Sequence, residues 1–411
     1  MPVTEGLRAA TTVAGLDLFA PEFVADPHPV LRALREDSPV HHDARTGLWL
    51  VSRYADVRAA LLDTESFHPD NALTAITPLS GEAKRVLARA RFGLPPTLAN
   101  NGTDSHAGLR RLVGQYFTQA RVEAAVPLVR ELVADRLRQV SGRCDLALHI
   151  AYDVPALVLL HMLGVGQVDM PVFKAWCHSS LELFWGNPDH DRQLRIAADA
   201  GAFHQWLGDR LAVAGEGEDL FSALVRHRAP GDRPLTRKEA VAVCYFLLIA
   251  GQETTTQLLA TMLRRAAGEP QLWRRMHEGE PGLVEHFVEE VLRREPPVVT
   301  WRRITSKPVT LGATELPAGA HVLLMLAGTG SDPEVVDEPE SFCPGRAQAR
   351  RHLAFGYGRH FCLGAGLARM EAAEVLRAVT ARLPEVELLD EEPPMLGLLS
   401  FRAPLEVRVR A

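Results

Sequence analysis

Phe355-Gly356-Tyr357-Gly358-Arg359-His360-Phe361-Cys362-Leu363-Gly364 is a glycine-rich loop that runs straight into a helix. Its three glycines permit backbone angles and close approaches that a Cβ forbids. From Leu363 to Leu383 apolar residues recur at helical spacing, and the run stops before Pro384. Cys362 therefore falls where loop becomes helix. There the partial positive charge of the helix N-terminus and nearby amide N–H groups favour thiolate. A thiolate in a nest of backbone donors serves as a nucleophile or as a soft metal ligand.

Other readings of the cysteine are weaker. A lone cysteine beside a turn is most often a buried packing residue. Cys343, His352, His360 and Cys362 are near one another in sequence, but no C-x-x-C pair exists and the spacings fit no common zinc module. The C-x-x-C-H of covalently attached haem is also absent.

The 411 residues suffice for a large core, and no Gly-, Ser- or Pro-rich linker or repeat divides them, so residues 1–411 read as one domain. A net charge of −6 is too mild to argue for nucleic-acid binding. Five scattered cysteines read as reduced thiols in a cytoplasmic protein. Residues 1–20 contain Glu5, Arg8 and Asp17 and no long apolar run, which speaks against a signal peptide or an anchor. The densest apolar run, 240–251, falls short of the roughly twenty residues a membrane span needs. A protein without membrane attachment is expected.

Patterning predicts mostly helices. Residues 29–37, 54–62, 81–91, 121–140, 150–163, 170–185, 192–211 and 283–294 are read as helical, and 39–42, 48–52, 309–311, 315–316 and 321–326 as short strands. The aromatics Trp176, Phe184, Trp185, Phe203 and Trp206 lie on two of these helices, where core packing is the ordinary expectation. The mixed segment 68–103 is long and irregular, a common sign of ligand contacts.

A longer helix is predicted over 237–267. Thr236 and Glu239 form a capping box at its start, and Gly268 and Pro270 end it. At about 1.5 Å per residue it is on the order of 45 Å long. Ala250-Gly251-Gln252-Glu253-Thr254-Thr255 interrupts its apolar middle, against helix propensity. A titratable carboxylate beside a hydroxyl can relay protons. His106 and Arg110, four apart, share a helix face. Glu290 and Arg293 form an E-x-x-R pair, by itself usually an exposed ion pair.

Together these motifs resemble the cytochrome P450 family along about the whole chain. The loop matches Phe-x-x-Gly-x-His/Arg-x-Cys-x-Gly at Phe355, Gly358, His360, Cys362 and Gly364. The central helix matches Ala-Gly-x-Asp/Glu-Thr-Thr. The resemblance implies a mainly α fold with a small β-rich portion, with haem b (iron protoporphyrin IX) as cofactor and Cys362 as the axial iron ligand. Phe355 and Gly356 belong to the same haem loop. Phe355 would shield the sulfur, and Gly364 would let the helix approach the porphyrin. His106, Arg110, His360 and Arg302, with Arg303 as the competing choice, would neutralise the propionates. Ala250 belongs to a groove of small residues over the iron. Thr254 and Glu253 would deliver protons for oxygen activation. Glu290 and Arg293 would join Arg346 in a structural cluster near the haem loop.

The implied activity is monooxygenation of a small organic substrate, by hydroxylation or epoxidation, in natural-product biosynthesis. Oxidative coupling on a free or carrier-bound peptide or polyketide is the alternative, and a haem-based sensor is a third reading. Electrons would come from NAD(P)H through a ferredoxin or flavodoxin with a separate reductase. Arg110, Arg111, Arg350, Arg351 and Arg359 are candidates to steer such an acidic donor. A monomer without nucleic-acid or membrane partners is expected. Gly330-Ser331 replaces the common Asn-Arg of bacterial members, and Cys343 a common aspartate.

Overall fold

The computed structural model describes residues 15–411, so most of the N-terminal stretch 1–20 lies outside the described residues. The long helix Arg237–Ala267 runs through the middle of the molecule. Thr236 Oγ1 accepts the Glu239 amide while the Glu239 carboxylate accepts the Thr236 amide at 2.8 Å, the reciprocal bonds of a capping box. Residues Ala240–Ile249 pack into one large apolar core with the helices Met170–Trp185 and His190–Val213. Residues Leu258–Ala267 pack into a second core with Gln119–Leu137, Leu283–Arg294 and Ala365–Arg382. The polar residues 250–257 thus fall at the junction between two apolar bodies. That is where an enclosed site can open without breaking either core.

Among the described residues, two sheets of three or more strands and two two-stranded ones, Arg228–Ala229 with Arg233–Pro234 and Val309–Leu311 with Thr314–Leu316, flank the helices. The largest sheet orders its strands Val40–Asp43, Leu48–Val51, His321–Leu324, Trp301–Thr305 and Phe67–His68. Its pairing is antiparallel except between Leu48–Val51 and His321–Leu324. The three-stranded one pairs Glu387–Leu388 and Arg143–Asp145 with Arg408–Arg410. Among the described residues no helix is long and apolar enough to cross a membrane.

Several elements differ from the sequence expectation, among them the helices Leu220–Arg226 and Pro270–His277, for which none was expected. The helix expected over 150–163 is broken: a π-helical turn covers Ala147–Ala151 and the α-helix restarts at Val154–Met162. Pro155, in the first turn of the restarted helix, has no N–H to continue the earlier ladder. Trp301–Thr305, for which no strand was expected, is a strand of the largest sheet.

Candidate active site

A cleft opens between the middle of the central helix and the Phe355–Gly364 loop, with about 1510 Å3 of empty space, part of it open to solvent. Ala250 and Thr254 line one side, and Phe355, Cys362 and Gly364 the other. The loop has the backbone that its glycines allow. Gly356 and Gly358 both adopt left-handed angles, at φ +68° and +69°. The Cys362 amide donates to the Phe355 carbonyl at 2.9 Å, closing the loop on itself. Gly364 caps the helix Ala365–Arg382. A Cβ on Gly364 would meet no protein atom nearer than the Cys362 sulfur at 3.9 Å, so its bare face leaves room in the cleft.

Cys362 is open toward the cleft and enclosed by protein elsewhere. That enclosure pushes its thiol pKa up, against the Gly364 amide and the Arg110 and Arg369 cations, which pull it down. The expectation that the helix terminus makes a thiolate is corrected here: desolvation outweighs it in the chain alone. A bound metal ion would tip the balance, because a coordinating thiol is deprotonated outright.

One flank of the cleft is cationic. His106 and Arg110 line it from the helix Ser105–Gly114, beside His360 and Arg303. The rings of His106 and His360 lie 4.4 Å apart, and both are held neutral, near pKa 4 and 3, by burial first and by neighbouring cations second. His360 Nε2 is buried without a partner. Arg110 donates to the Phe361 carbonyl at 2.7 Å. Arg303 is 1% exposed and donates to the Arg302 carbonyl at 2.8 Å; no carboxylate among the described residues pairs with it. Its pKa falls to about 10 through burial. A buried cation without a counter-ion is costly. This flank is therefore built for an anion that the chain does not supply.

Arg302, expected at this position, is corrected by the structure. Its guanidinium turns away from the cleft and donates to the carbonyls of Ala72 at 3.0 Å and Thr74 at 2.7 Å. Alternate strand residues point to opposite faces, so Trp301 and Arg303 line the cleft and Arg302 does not. Two arginines side by side hid this in the sequence, while the period-2 placement of Trp301 and Arg303 was the available signal.

The proton-relay residues are also separated. Thr254 lines the cleft and donates its hydroxyl to the Ala250 carbonyl at 2.7 Å. Glu253 does not line it. One residue back is about 100° round the helix, and there Glu253 meets Lys174 Nζ at 3.0 Å and accepts from Gln252 at 2.7 Å. Lys174, on the helix Met170–Trp185, was not anticipated. Gly251 lines the cleft next to Ala250, and a Cβ on it would come within 2.9 Å of Leu159. Its smallness therefore serves helix packing as well as the cleft, which it lines together with Ala250, Thr254 and Thr255.

Above these groups the walls are apolar: Leu98, Leu181, Phe246 and Val298, with Trp185 stacked edgewise on Phe401 at 4.9 Å. Of the helix aromatics only Trp185 reaches the cleft. Trp176, Phe203 and Trp206 pack on one another instead. Phe401 and Phe246 had been passed over; nothing in the sequence separates them from core aromatics. Behind the loop, Glu290, Arg293 and Arg346 meet. Arg293 lies 2.8 Å and Arg346 3.1 Å from Glu290, and the first two are fully buried. Gly330 is required beside them, since a Cβ would collide with the Arg293 carbonyl. On the expected basic face Arg359 donates to His106 at 3.2 Å, while Arg350, 3.9 Å from Glu289, stays largely exposed. Among the described residues no His, Cys, Asp and Glu cluster could hold a bare metal ion. A flat macrocycle carrying its own metal and two carboxylates, a haem, does fit: sulfur below, cations at the edge, a bare glycine face and an apolar roof.

The comparisons agree with that fit. The model of the family described as Cytochrome P450 matches residues 282–397. Cytochrome P450 monooxygenase PikC of Streptomyces venezuelae is 34% identical over 93% of this chain and 90% of its own. Cyclomarin C epoxidase CymV of Salinispora arenicola is 32% identical over 88% and 90%. The solved structure of cytochrome P450 CREJ in complex with (4-ethylphenyl) dihydrogen phosphate superposes with a TM-score of 0.92, at 30% identity, over 97% of this chain and 100% of that one.

Proposed function

The chain belongs to the cytochrome P450 family, and from that premise we propose that it inserts one oxygen atom, by hydroxylation or epoxidation, into a small apolar metabolite. The family makes it a haem monooxygenase, an oxidoreductase that draws electrons from a redox partner. The finer reading is haem b in a single domain spanning 1–411. Electrons would come from NAD(P)H through a ferredoxin or flavodoxin with a separate reductase. One observation carries it: an apolar cleft has a cysteine sulfur on one side, the Thr254 hydroxyl on the other and an unpaired buried arginine at its edge.

When bound, the haem supplies dioxygen binding and its reductive cleavage. The chain supplies the rest. Cys362 Sγ holds the iron. Arg303, Arg110, His106 and His360 hold the two carboxylates, which give Arg303 the counter-ion it lacks. Thr254 Oγ1 holds a proton on the Ala250 carbonyl; rotating that O–H into the cleft presents it to the reacting oxygen. Glu253 and Lys174 stand behind Thr254, away from the cleft, as a charged reserve from which the proton is replaced. Phe246, Trp185, Trp301 and Phe401 exclude water and orient the substrate by shape. Natural-product tailoring is the substrate class this reading puts first; the likeness to the cyclomarin C epoxidase CymV, at 32% identity, supports it.

The test is a titration of the purified holoprotein with candidate metabolites, free and carrier-bound, followed in the haem absorption band. Turnover then follows with a surrogate ferredoxin and reductase under isotopically labelled dioxygen. A spectral shift and one labelled oxygen in the product are expected. Product without added oxygen would replace this reading with oxidative coupling. The variant Cys362→Ser should lose the absorption band of thiolate-ligated haem, and its retention would remove Cys362 as the ligand.

A further inference from the structure

Arg369 takes no part in the cleft. It lies about one turn into the helix Ala365–Arg382 that follows Cys362, and its guanidinium sits over the ring of Phe355, 4.4 Å from the centroid. Phe355 is the residue whose carbonyl accepts the Cys362 amide. The other face of Arg369 is tied to Glu289 by two hydrogen bonds, the Nη2–Oε2 bond being 3.2 Å.

Glu289 is 6% exposed and itself fixed. His352 lies against its Oε2 at 3.4 Å. The Ala354 amide donates to His352 Nδ1 at 3.2 Å, which assigns the ring proton to Nε2, where it is given to Glu289. Burial keeps His352 neutral. Among the described residues Arg369 is therefore the only cation in close contact with Glu289; Arg350 stands 3.9 Å away and is largely exposed. The set ties the helix Leu283–Arg294, the segment before Phe355 and the helix after Cys362 into one rigid unit. Packing alone would be satisfied by an apolar side chain on Phe355. What a guanidinium adds there is a fixed positive charge over the ring of Phe355, whose carbonyl accepts the Cys362 amide.

We propose that Arg369, clamped by Glu289 and seated on Phe355, is a positioning residue that sets how strongly the Cys362 sulfur donates to iron, and with it the potential of the haem. This rests on the reading of Cys362 as the iron ligand. One electron from an external donor makes the haem–thiolate unit one charge more negative. A nearby cation stabilises that state and raises the potential, and the Glu289 carboxylate partly offsets it. The two charges therefore push in opposite directions.

The experiment is spectroelectrochemical titration of the holoenzyme and of three variants, with haem content and the ferrous–CO spectrum recorded for each. Arg369→Gln should lower the reduction potential, Arg369→Lys should stay near the wild type, and Glu289→Gln should raise it. Equal shifts in Arg369→Gln and Arg369→Lys would make the effect one of packing and overturn the proposal. An unmoved potential in Arg369→Gln would do the same. If that variant does not retain haem, Glu289→Gln decides: an upward shift supports the field, and a downward or absent shift ends it. A wild-type CO spectrum without thiolate character would instead sink the ligand reading itself.

Discussion

Lys174 Nζ stands 3.0 Å from the Glu253 carboxylate, with the two side chains 3% and 8% exposed. The pair bridges the helix Met170–Trp185 to the central helix one residue before Thr254. Removing one partner of a buried pair strands the other and costs about 3–5 kcal/mol. Lys174→Met is therefore expected to lower unfolding stability by that order in denaturant titration. Adding Glu253→Gln to it should restore much of the loss. Additive losses would show that the two charges do not depend on each other.

Thr254→Ala deletes the cleft hydroxyl that donates to the Ala250 carbonyl and leaves the neighbouring Thr255 in place. Haem content and substrate-induced spectra should stay as in the wild type. Product per electron pair should fall, on the order of tenfold for about 1.4 kcal/mol of lost proton donation, with peroxide rising in step. Unchanged coupling would take Thr254 out of proton delivery.

Arg303→Gln and Arg302→Gln should separate cleanly. A charge-assisted bond is worth about 1.5–3 kcal/mol, so losing Arg303 should weaken haem retention roughly 10- to 100-fold, read by transfer to apomyoglobin. Losing Arg302 leaves the Ala72 and Thr74 carbonyls short of a donor. That should cost about 1–3 kcal/mol of stability and leave haem affinity close to normal. The reverse pattern would return the carboxylate-holding role to Arg302.

The capping box gives a pH test. Bonds from Arg233 first, then from the Thr236 amide and hydroxyl, bring the Glu239 pKa down from 4.5 to about 2. A depressed folded pKa means that the unfolded chain binds the extra proton first as pH falls. The stabilisation is complete above about 4.5 and is lost on the way down to about 2. Glu239→Gln should thus cost about 0.5–2 kcal/mol near neutrality and nothing at the bottom of that window. Chemical denaturation at both ends checks it, and a constant difference would refute the ionic account.

What the sequence by itself determined follows from local rules. The central helix begins and ends where its capping box and Gly268 put it, because those signals act within one turn. The left-handed glycines of the cysteine loop follow from residue type. The ten-residue spacing around Cys362 identified the family, since so few chains carry it by chance. Glu290, Arg293 and Arg346 meet although only the first two are neighbours in sequence, because the resemblance carried the third.

Tertiary structure alone decided which arginine faces the cleft. A one-residue change of register exchanges Arg302 for Arg303, and the pairing of Trp301–Thr305 with His321–Leu324 sets that register from outside the segment. It also decided that Glu253 turns to Lys174, a partner on another helix that no periodicity announces. Whether the Cys362 thiol ionises was decided the same way. The helix terminus is local and legible, but the desolvation that opposes it is the sum of everything packed around the sulfur. The cleft walls are the extreme case. Trp185, Phe246 and Phe401 look like core aromatics one by one, and become cleft walls only through their placement beside the central helix and the cysteine loop.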